Sequence, residues 1–315
     1  MIDFFLISFL HGGISMNFDI AILTEYRILT RHEILKVSII INVFNRVDFL
    51  KKALISLKYQ SIVPDEIIIS DDGSEEDIPS AIKDIIKDMN CRVKFATQEH
   101  KGFRLARSRN NGVRLASGDY LIFFDQDIVL TKNLIETFIK HNSKHQFCVA
   151  YPIRLTMKQT DFLKDSMIAP PNFKRILEKK QIHKIKKQYF KDNFYQILKR
   201  FRLRTVGPKL RGGVAAINRE DYIQVNGYDE NYQGWGNEDD DLGRRLYRAG
   251  IHGKNPFYHE FPLHLYHEPN HRQGKRVNQT YYSQRLKEIK NGGYRCEHGF
   301  ENPSSSEKIV NIDLN

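Results

Sequence analysis

The amino-acid sequence predicts an open α/β sheet with right-handed crossovers in its first half. From Val37 onward, apolar runs of strand length alternate with amphipathic runs of helix length. The first run, residues 37–41, is apolar in the manner of a strand buried in a parallel sheet. Polar residues follow the predicted strands directly, and the carboxyl ends of strands are where such sheets bind ligands.

Each element follows from its own local pattern. The predicted strands, all apolar runs bounded by polar residues, are residues 37–41, 66–70, 92–95 and 119–124. The predicted helices, which are amphipathic, are residues 48–59, 78–89 and 104–116. A further strand is predicted at residues 148–152. The polar tail from Glu301 to Asn315 is expected to be loosely held.

Cysteine usage and hydropathy limit the class of protein. Cys91, Cys148 and Cys296 lie far apart, which argues for reduced thiols and against a zinc cluster. No apolar run reaches the roughly 20 residues of a membrane span. The apolar first ten residues carry Asp3 where a signal peptide would carry a basic residue. They are interpreted as a membrane-touching segment, or as an upstream extension if translation begins at Met16.

The net charge of +11 is concentrated in one segment. Between Lys174 and Arg204 there are twelve Lys or Arg residues against two acids, interleaved with apolar and aromatic residues at roughly helical spacing. This pattern suits an anionic membrane surface, and a solvated helix pair over the core is an equally open interpretation. Nucleic acid would fit the charge, but no nucleic-acid motif accompanies it, so no nucleic-acid partner is predicted.

The stretch from Gly234 to Asp241 contains two glycines, the single Trp of the chain and four consecutive acids. Asn237 is a plausible N-cap, which would place Glu238, Asp239 and Asp240 in a first helical turn that favours negative charge. An acidic, well-capped turn is the simplest interpretation. The Gly-Trp-Gly sequence indicates in addition a substrate-facing lip with acids behind it.

Two further acidic motifs follow predicted strands. Asp125-Gln126-Asp127 ends an apolar strand, where a turn can bring both carboxylates onto one Mg²⁺ or Mn²⁺ ion that bridges nucleotide phosphates. Residues 71–74 follow the second strand in the same way, although plain turns also use such sequences. Neither a Gly-x-Gly-x-x-Gly motif nor a Walker-type loop is present, which argues against dinucleotide and P-loop enzymes.

These motifs carry a resemblance to known families. The first half resembles a family-2 glycosyltransferase of the GT-A fold. The matching residues are 37–46, 71–74, 102–104, 109–110, 118–120 and 125–127. The second half resembles the carboxyl-terminal module of β-1,4-galactosyltransferases and chondroitin-polymerase-like enzymes. The matching residues there are 211–213, 226–230, 234–240 and the later histidines. The resemblance, which runs from about Val37 to His271, implies a Rossmann-like mixed sheet flanked by helices, with the basic segment as a helical insert.

The resemblance also implies an activated sugar donor, usually a UDP-sugar, and inversion at the anomeric carbon. The residues that match nucleotide-binding positions are Asn42, Phe44, Arg46, Asp72, Arg104, Arg109 and Asp125. Asp127 matches the metal-binding acid and Asp239 the catalytic base. Glu238 and Asp240 match acceptor-binding or base-supporting acids, and Trp235 would stack on a sugar face.

Two histidines complete the implied metal site. In the galactosyltransferase-like module a His about 28 residues beyond the base is a metal ligand, and His267 lies 28 residues beyond Asp239. A second ligand would be His264, three residues earlier. Imidazole at both positions would favour Mn²⁺ over Mg²⁺. Any one of these histidines taken alone would be interpreted as an ordinary loop residue. The spacing favours a metal ligand at His267, and both interpretations stay open for His264.

The resulting hypothesis is an inverting, metal-dependent glycosyltransferase. It would move a hexose or N-acetylhexosamine from a UDP-sugar to a lipid-linked or surface polysaccharide or lipopolysaccharide acceptor. Its expected place is cytoplasmic, at the inner face of a bacterial plasma membrane, through residues 174–204. The alternatives are a nucleotidyltransferase of related fold and a non-catalytic sugar- or membrane-binding protein. The expected divisions are an N-terminal extension (1–36), a nucleotide-sugar-binding half (37–150), a basic helical insert (151–210), an acceptor and catalytic module (211–275) and a tail (276–315).

Overall fold

The computed structural model of the chain describes residues 35–173, 175–211, 213–268 and 277–315. The predicted N-terminal extension, apart from Leu35 and Lys36, lies outside the described residues. Lys174, Gly212 and His271, which belong to predicted segments, also fall outside them. The chain from Lys36 to Asn315 forms one unit, and the helices and strands that the structure describes all lie in it.

Eleven strands occur in the described part of the chain. In order they are β1 (Val37–Val43), β2 (Glu66–Asp71), β3 (Arg92–Thr97), β4 (Tyr120–Asp125), β5 (Ile128–Val129), β6 (Gln146–Val149), β7 (Ile153–Arg154), β8 (Ala215–Asn218), β9 (His252–Lys254), β10 (Leu263–His264) and β11 (Val310–Asp313). Eight of them form one sheet in the order β11-β3-β2-β1-β4-β8-β6-β9. The other three form a small sheet in the order β5-β10-β7.

The centre of the large sheet is parallel, as the apolar runs predict. β1 pairs in parallel with β2 and β4, and β2 pairs in parallel with β3. Every residue of β1 and β2 is buried, because both faces of these strands are covered. β8 runs antiparallel to β4, and β6 runs antiparallel to β8. The predicted α/β fold is confirmed, as a mixed sheet flanked by helices.

Ten helices accompany the strands in the described residues. They are α1 (Val47–Lys58), α2 (Ile78–Ile86), α3 (Leu105–Leu115), α4 (Leu134–Lys140), α5 (Met157–Phe162), α6 (Asp165–Ile168), α7 (Lys179–Arg200), α8 (Arg219–Gln224), α9 (Glu238–Arg248) and α10 (Gln279–Lys290). The three helices predicted in the first half correspond to α1, α2 and α3. One buried core joins the sheet to α3, α8 and α9, with Phe123 packed among Ala106, Tyr222 and Leu242.

The basic segment forms α7, a helix of 22 residues, preceded by β7 and the short helices α5 and α6. The small sheet joins this segment to the later chain, since β7 pairs with β10 and places Arg154 opposite His264. Ile182 and Ile185 of α7 pack on a second apolar core, so one side of the helix is anchored. No helix among the described residues combines the length and apolar content that crossing a bilayer requires.

The C-terminal residues are ordered into the fold, and the expectation of a loosely held tail is wrong. β11 pairs antiparallel with β3, with Ile312 opposite Phe95. Without β11, β3 would be an edge strand whose backbone groups lack partners, and an extended segment of any composition can supply them. All four residues of β11 are exposed, so the strand leaves no apolar signal in the sequence.

Candidate active site

The carboxyl ends of the central strands and the first turns of α3 and α9 surround a cleft of about 1480 Å³. It contains nearly every residue that the sequence analysis assigned to a site. The predicted site residues that line it are Asn42, Phe44, Arg46, Asp72, Arg109, Asp125, Asp127, Trp235, Glu238, Asp239, Asp240, His264 and His267. Arg104 is not among the lining residues. Chain segments more than 200 residues apart thus meet at one edge of the sheet.

Asp127, His264 and His267 form a compact group at one end of the cleft. The Asp127 Oδ2 atom lies 3.1 Å from His267 Nε2 and 3.6 Å from His264 Nε2. One ligand atom from each residue falls within 4.8 Å of the others. The second carboxylate oxygen, Asp127 Oδ1, is buried and has no hydrogen-bond partner among the described residues. This set of one oxygen and two nitrogens fits a divalent transition-metal ion.

Both histidines are held in the orientation that a metal ligand needs. His264 Nδ1 lies 2.8 Å from the Leu265 carbonyl oxygen, and His267 Nδ1 lies 3.1 Å from the Glu268 carbonyl oxygen. A carbonyl oxygen only accepts, so each Nδ1 donates, and Nε2 is the ring atom of each histidine that faces Asp127 and would bind a metal ion in its deprotonated form. Burial lowers the pKa of His264, whereas the hydrogen bond to Asp127 raises the pKa of His267.

Arg109 connects the strand end to the acidic helix. Its Nη1 atom lies 2.8 Å from Asp239 Oδ1, and its Nη2 atom lies 3.1 Å from Asp125 Oδ1. The guanidinium also lies over the Tyr228 ring, 4.8 Å from the centroid, and Tyr228 donates its hydroxyl to Asp239 Oδ1 over 3.2 Å. Only 1% of Arg109 is exposed. A charge buried to this extent is tolerated because it is paired on both sides.

The acids of α9 occupy different environments. Burial, together with the neighbouring Asp239, raises the pKa of Glu238 to about 7. Asp240 binds Arg244 Nε at 2.7 Å and Lys209 Nζ at 3.4 Å, with Tyr282 as a further donor. Burial opposes ionisation of Asp240, but hydrogen bonds from Tyr282 and Arg244 keep its pKa below the usual value.

The last acid of the stretch has a structural role. Asp241 is fully buried and pairs with the fully buried Arg245, with 2.6 Å between Oδ2 and Nε. Asn237 does occupy the N-cap position, but its backbone is left-handed, with φ of 79°. The helix therefore starts from a tight turn through Gly236, whose φ is 103°, and this turn sets Trp235 at the rim with 52% of its surface exposed.

The carboxyl ends of β1 and β2 contribute the residues predicted to bind the nucleoside. Asp72 accepts hydrogen bonds from the Arg104 backbone N–H at 2.8 Å and from Gln98 Nε2 at 2.5 Å, and burial raises its pKa. The Phe44 ring stacks on the His100 ring with centroids 4.4 Å apart. Nearby, the Asn42 side-chain oxygen is buried without a hydrogen-bond partner in the described chain.

Arg104 contributes to this region through its backbone N–H and through its charge, which opposes the rise in the pKa of Asp72. Its Nη1 atom lies 2.8 Å from Glu307 Oε2, and its guanidinium also contacts the Glu99 carbonyl. The sequence predicted a nucleotide contact here, whereas the side chain joins the C-terminal segment to the loop that contains His100. The partner of the Arg104 side chain, Glu307, lies 203 positions away in the chain, so no local sequence pattern could reveal this ion pair.

Several residues of the site were assigned no role from the sequence. His100 lies beside the matching residues 102–104, and Tyr228 lies within the matching residues 226–230. These motifs could therefore have indicated both residues. Lys209 and Tyr282 had no such signal, because each reaches Asp240 through the tertiary fold alone.

The comparisons with known proteins agree with this architecture. The family model "Glycosyl transferase family 2" matches residues 38–224, and the model "N-terminal domain of galactosyltransferase" matches residues 192–268. Validoxylamine A glucosyltransferase of Streptomyces hygroscopicus subsp. limoneus is 25% identical over 68% of this chain and 48% of its own length. Chondroitin synthase of Escherichia coli is 26% identical over 79% of this chain and 38% of its own length. The chain spans about half the length of such curated relatives, or less.

Solved structures show the same fold. GalNAc-T7, crystallised with UDP, GalNAc and Mn²⁺, superposes with a TM-score of 0.55 at 18% identity, over 81% of this chain and 50% of that one. Staphylococcus aureus TarS 1–349, in complex with UDP-GlcNAc, gives 0.55 at 14% identity, over 85% and 69%. Both are GT-A glycosyltransferases. Because the family model covers more than half of the chain, the protein belongs to glycosyl transferase family 2, with a GT-A fold and a galactosyltransferase-like module in its second half.

Proposed function

We propose that the chain is an inverting, metal-dependent glycosyltransferase that transfers a sugar from a UDP-sugar to a glycan or lipid-linked glycan. The observation that carries this proposal is that Arg109 connects the strand end beside the predicted metal site to the acidic first turn of α9 in one cleft. Arg109 contacts both the strand end that leads to Asp127 and the first-turn acid Asp239. A charge-neutralising group and a candidate base are thus held at a fixed separation, as a direct displacement requires.

Asp239 is the candidate base. Asp239 accepts hydrogen bonds from Arg109 and Tyr228, and both are made to Oδ1. Oδ2 is therefore the oxygen able to take the proton of an acceptor hydroxyl. Attack by that hydroxyl from the side opposite the leaving diphosphate inverts the anomeric carbon. Trp235 at the rim offers an apolar face for a sugar ring.

Asp127, His264 and His267 would hold the metal ion, and the two imidazoles favour Mn²⁺ over Mg²⁺. When bound, the ion would offset the negative charge that develops on the departing UDP. Beside Phe44, either Asp72 or the unpartnered Asn42 Oδ1 would accept the single N–H of a uracil ring. Each Asp72 oxygen already accepts one bond and keeps a second lone pair for this role. Asp125, next to Arg109, would lie near the ribose, and Arg46 near the phosphates.

The outer side of α7 supports the peripheral membrane location. Four apolar residues on it are each more than half exposed, at the helical spacing i, i+4, i+7 and i+11: Phe190, Phe194, Ile197 and Phe201. Exposed basic residues such as Lys187 and Arg200 flank them. Such a stripe inserts its apolar groups between acyl chains while the cations bind anionic headgroups. Phe194→Ser/Ile197→Ser should weaken binding to phosphatidylglycerol vesicles at least tenfold, and unchanged binding would reject this location.

The proposed activity is tested with a panel of UDP-sugars, measuring UDP release with Mn²⁺ and then with EDTA. We expect at least one donor to be turned over, and EDTA and Asp127→Ala each to reduce the rate at least a hundredfold. Asp84→Asn, an exposed acid on α2, serves as the control and should keep the full rate. Failure of the wild-type protein to bind UDP in the presence of Mn²⁺ would reject the proposal.

A further inference from the structure

One wall of the cleft is built by residues 151–211 and has an unusual charge pattern. We call it the insert wall. It contributes four cations to the lining, Arg154, Lys184, Lys209 and Arg211, and no acid. The six lining acids all come from the edge of the large sheet or from α9. Among the described residues, Lys209 is the one of these four cations that pairs with a lining acid, Asp240.

Three of the four cations lack an ionic partner in the part of the chain that the structure describes. Within that part, no carboxylate oxygen lies within 4.0 Å of the charged groups of Arg154, Lys184 or Arg211. Asp192, the buried acid of α7, accepts hydrogen bonds from Gln188 at 2.8 Å and Asn255 at 2.9 Å, and the charge of Arg211 opposes the rise in its pKa from more than 4.0 Å away. The cations at the cleft are therefore left available to an anionic ligand.

Uncharged groups hold the wall in place. Arg211 lies over the Tyr151 ring, 5.1 Å from its centroid, and its Nη2 atom lies 3.4 Å from Gln188 Oε1. The Tyr151 hydroxyl donates to the Lys209 carbonyl oxygen over 2.7 Å. Gln181 donates to the Arg154 carbonyl oxygen over 3.0 Å. Positioning by neutral partners orders the wall without reducing its charge, which favours a bound anion.

We propose that the acceptor carries an anionic group, a carboxylate on an acidic sugar or a phosphate on its carrier, and that the insert wall binds this group. The inference rests on the proposed function, because it concerns the acceptor of that reaction. Lys209 reaches Asp240 at 3.4 Å, so the wall extends to the first turn of α9, where Asp239 is the candidate base. Arg154 lies opposite His264 in the pairing of β7 with β10, so the wall also borders the metal site, where the donor diphosphate would lie.

Paired probes that differ in charge test the inference. Methyl β-glucuronide is compared with methyl β-glucoside, and glucose 1-phosphate with methyl α-glucoside, each titrated into the full chain saturated with UDP and Mn²⁺. We expect at least one anionic member to bind ten times or more tightly than its neutral partner. The pair that shows the difference tells whether a carboxylate or a phosphate is recognised. Equal binding within both pairs overturns the inference.

Charge variants then locate the effect. Lys184→Glu/Arg211→Glu should abolish the preference for the anion while leaving UDP affinity within about twofold. Lys184→Gln/Arg211→Gln should weaken it less, and Lys83→Glu, at an exposed position on α2 outside the cleft, should leave it intact. If the double variants weaken UDP binding tenfold and retain the preference, the wall serves the donor and the inference is wrong. Absence of UDP binding in the wild type would instead reject the proposed function.

Discussion

Arg109 and Asp239 form an ion pair of 2.8 Å at the start of α9, although 130 residues separate them in the chain. The guanidinium is almost completely buried, and its second amino group binds Asp125. This pair fixes the distance between the proposed base and the strand end beside the metal site. The chemistry of the cleft and the stability of the protein therefore share one residue.

Replacing Arg109 should affect both properties. Arg109→Lys keeps the charge but cannot bind Asp125 and Asp239 together, because an ammonium group lacks the forked geometry. We expect unfolding free energy to fall by about 3 kcal/mol, as when one partner of a buried pair is lost. UDP release should fall by at least tenfold. Urea unfolding and the rate assay measure the two effects. Arg92→Lys, at an exposed position, is the control, and equal behaviour of the two variants would contradict the role of Arg109.

Removal of either histidine of the metal group should weaken Mn²⁺ binding. Because the Nε2 atoms of His264 and His267 converge on Asp127, His267→Ala and His264→Ala should each raise the Mn²⁺ dissociation constant at least tenfold. Electron paramagnetic resonance of free Mn²⁺ measures this without any turnover. His259→Ala changes an exposed histidine of the same region and should have no effect. A wild-type affinity for either site variant would remove that residue from the metal site.

Glu238 should make stability depend on pH. Its pKa in the folded protein is raised to about 7 by burial, so the folded state binds a proton that the unfolded state loses above its ordinary value of 4.5. The contribution of Glu238 to the unfolding free energy therefore decreases as pH rises from about 4.5 to about 7, by roughly 1 kcal/mol for each pH unit. Glu238→Gln should remove that decrease, which urea unfolding at pH 5 and pH 7 can measure. A variant whose pH dependence parallels that of the wild type would show that Glu238 is ionised in the folded state.

The C-terminal strand should be needed for stability and solubility. Deletion of residues 308–315 removes β11 and exposes the backbone of β3, so we expect a lower unfolding midpoint and a tendency to aggregate. Ile312→Thr keeps the backbone pairing and changes an exposed side chain, so its cost should stay within about 0.5 kcal/mol. Light scattering and thermal unfolding compare the two. Equal stability of the deleted and full chains would mean that β11 contributes nothing to the sheet.

The parts of the fold and the site that depend on a local sequence pattern could be predicted, and those that depend on partners distant in the chain could not. β1, β2 and β4 were predicted because a strand buried on both faces is apolar along its length. β11 was missed because its contribution is backbone pairing, which no side-chain pattern records. In the site, the motif residues could be found by resemblance. The ion pairs of Arg109 with Asp239 and of Arg104 with Glu307 could not be predicted, since in each pair the partner is more than 100 residues away.

The central claim is that Asp239 accepts the proton of the acceptor hydroxyl. The most direct test is the turnover of Asp239→Asn with a donor and an acceptor that the wild type uses, in protein that still binds UDP with Mn²⁺. The amide keeps the shape of the carboxylate and one of its oxygens, but it is not a base at neutral pH. We predict a rate reduced at least a thousandfold with UDP affinity retained. A rate within tenfold of the wild type would contradict the assignment of Asp239 as the base.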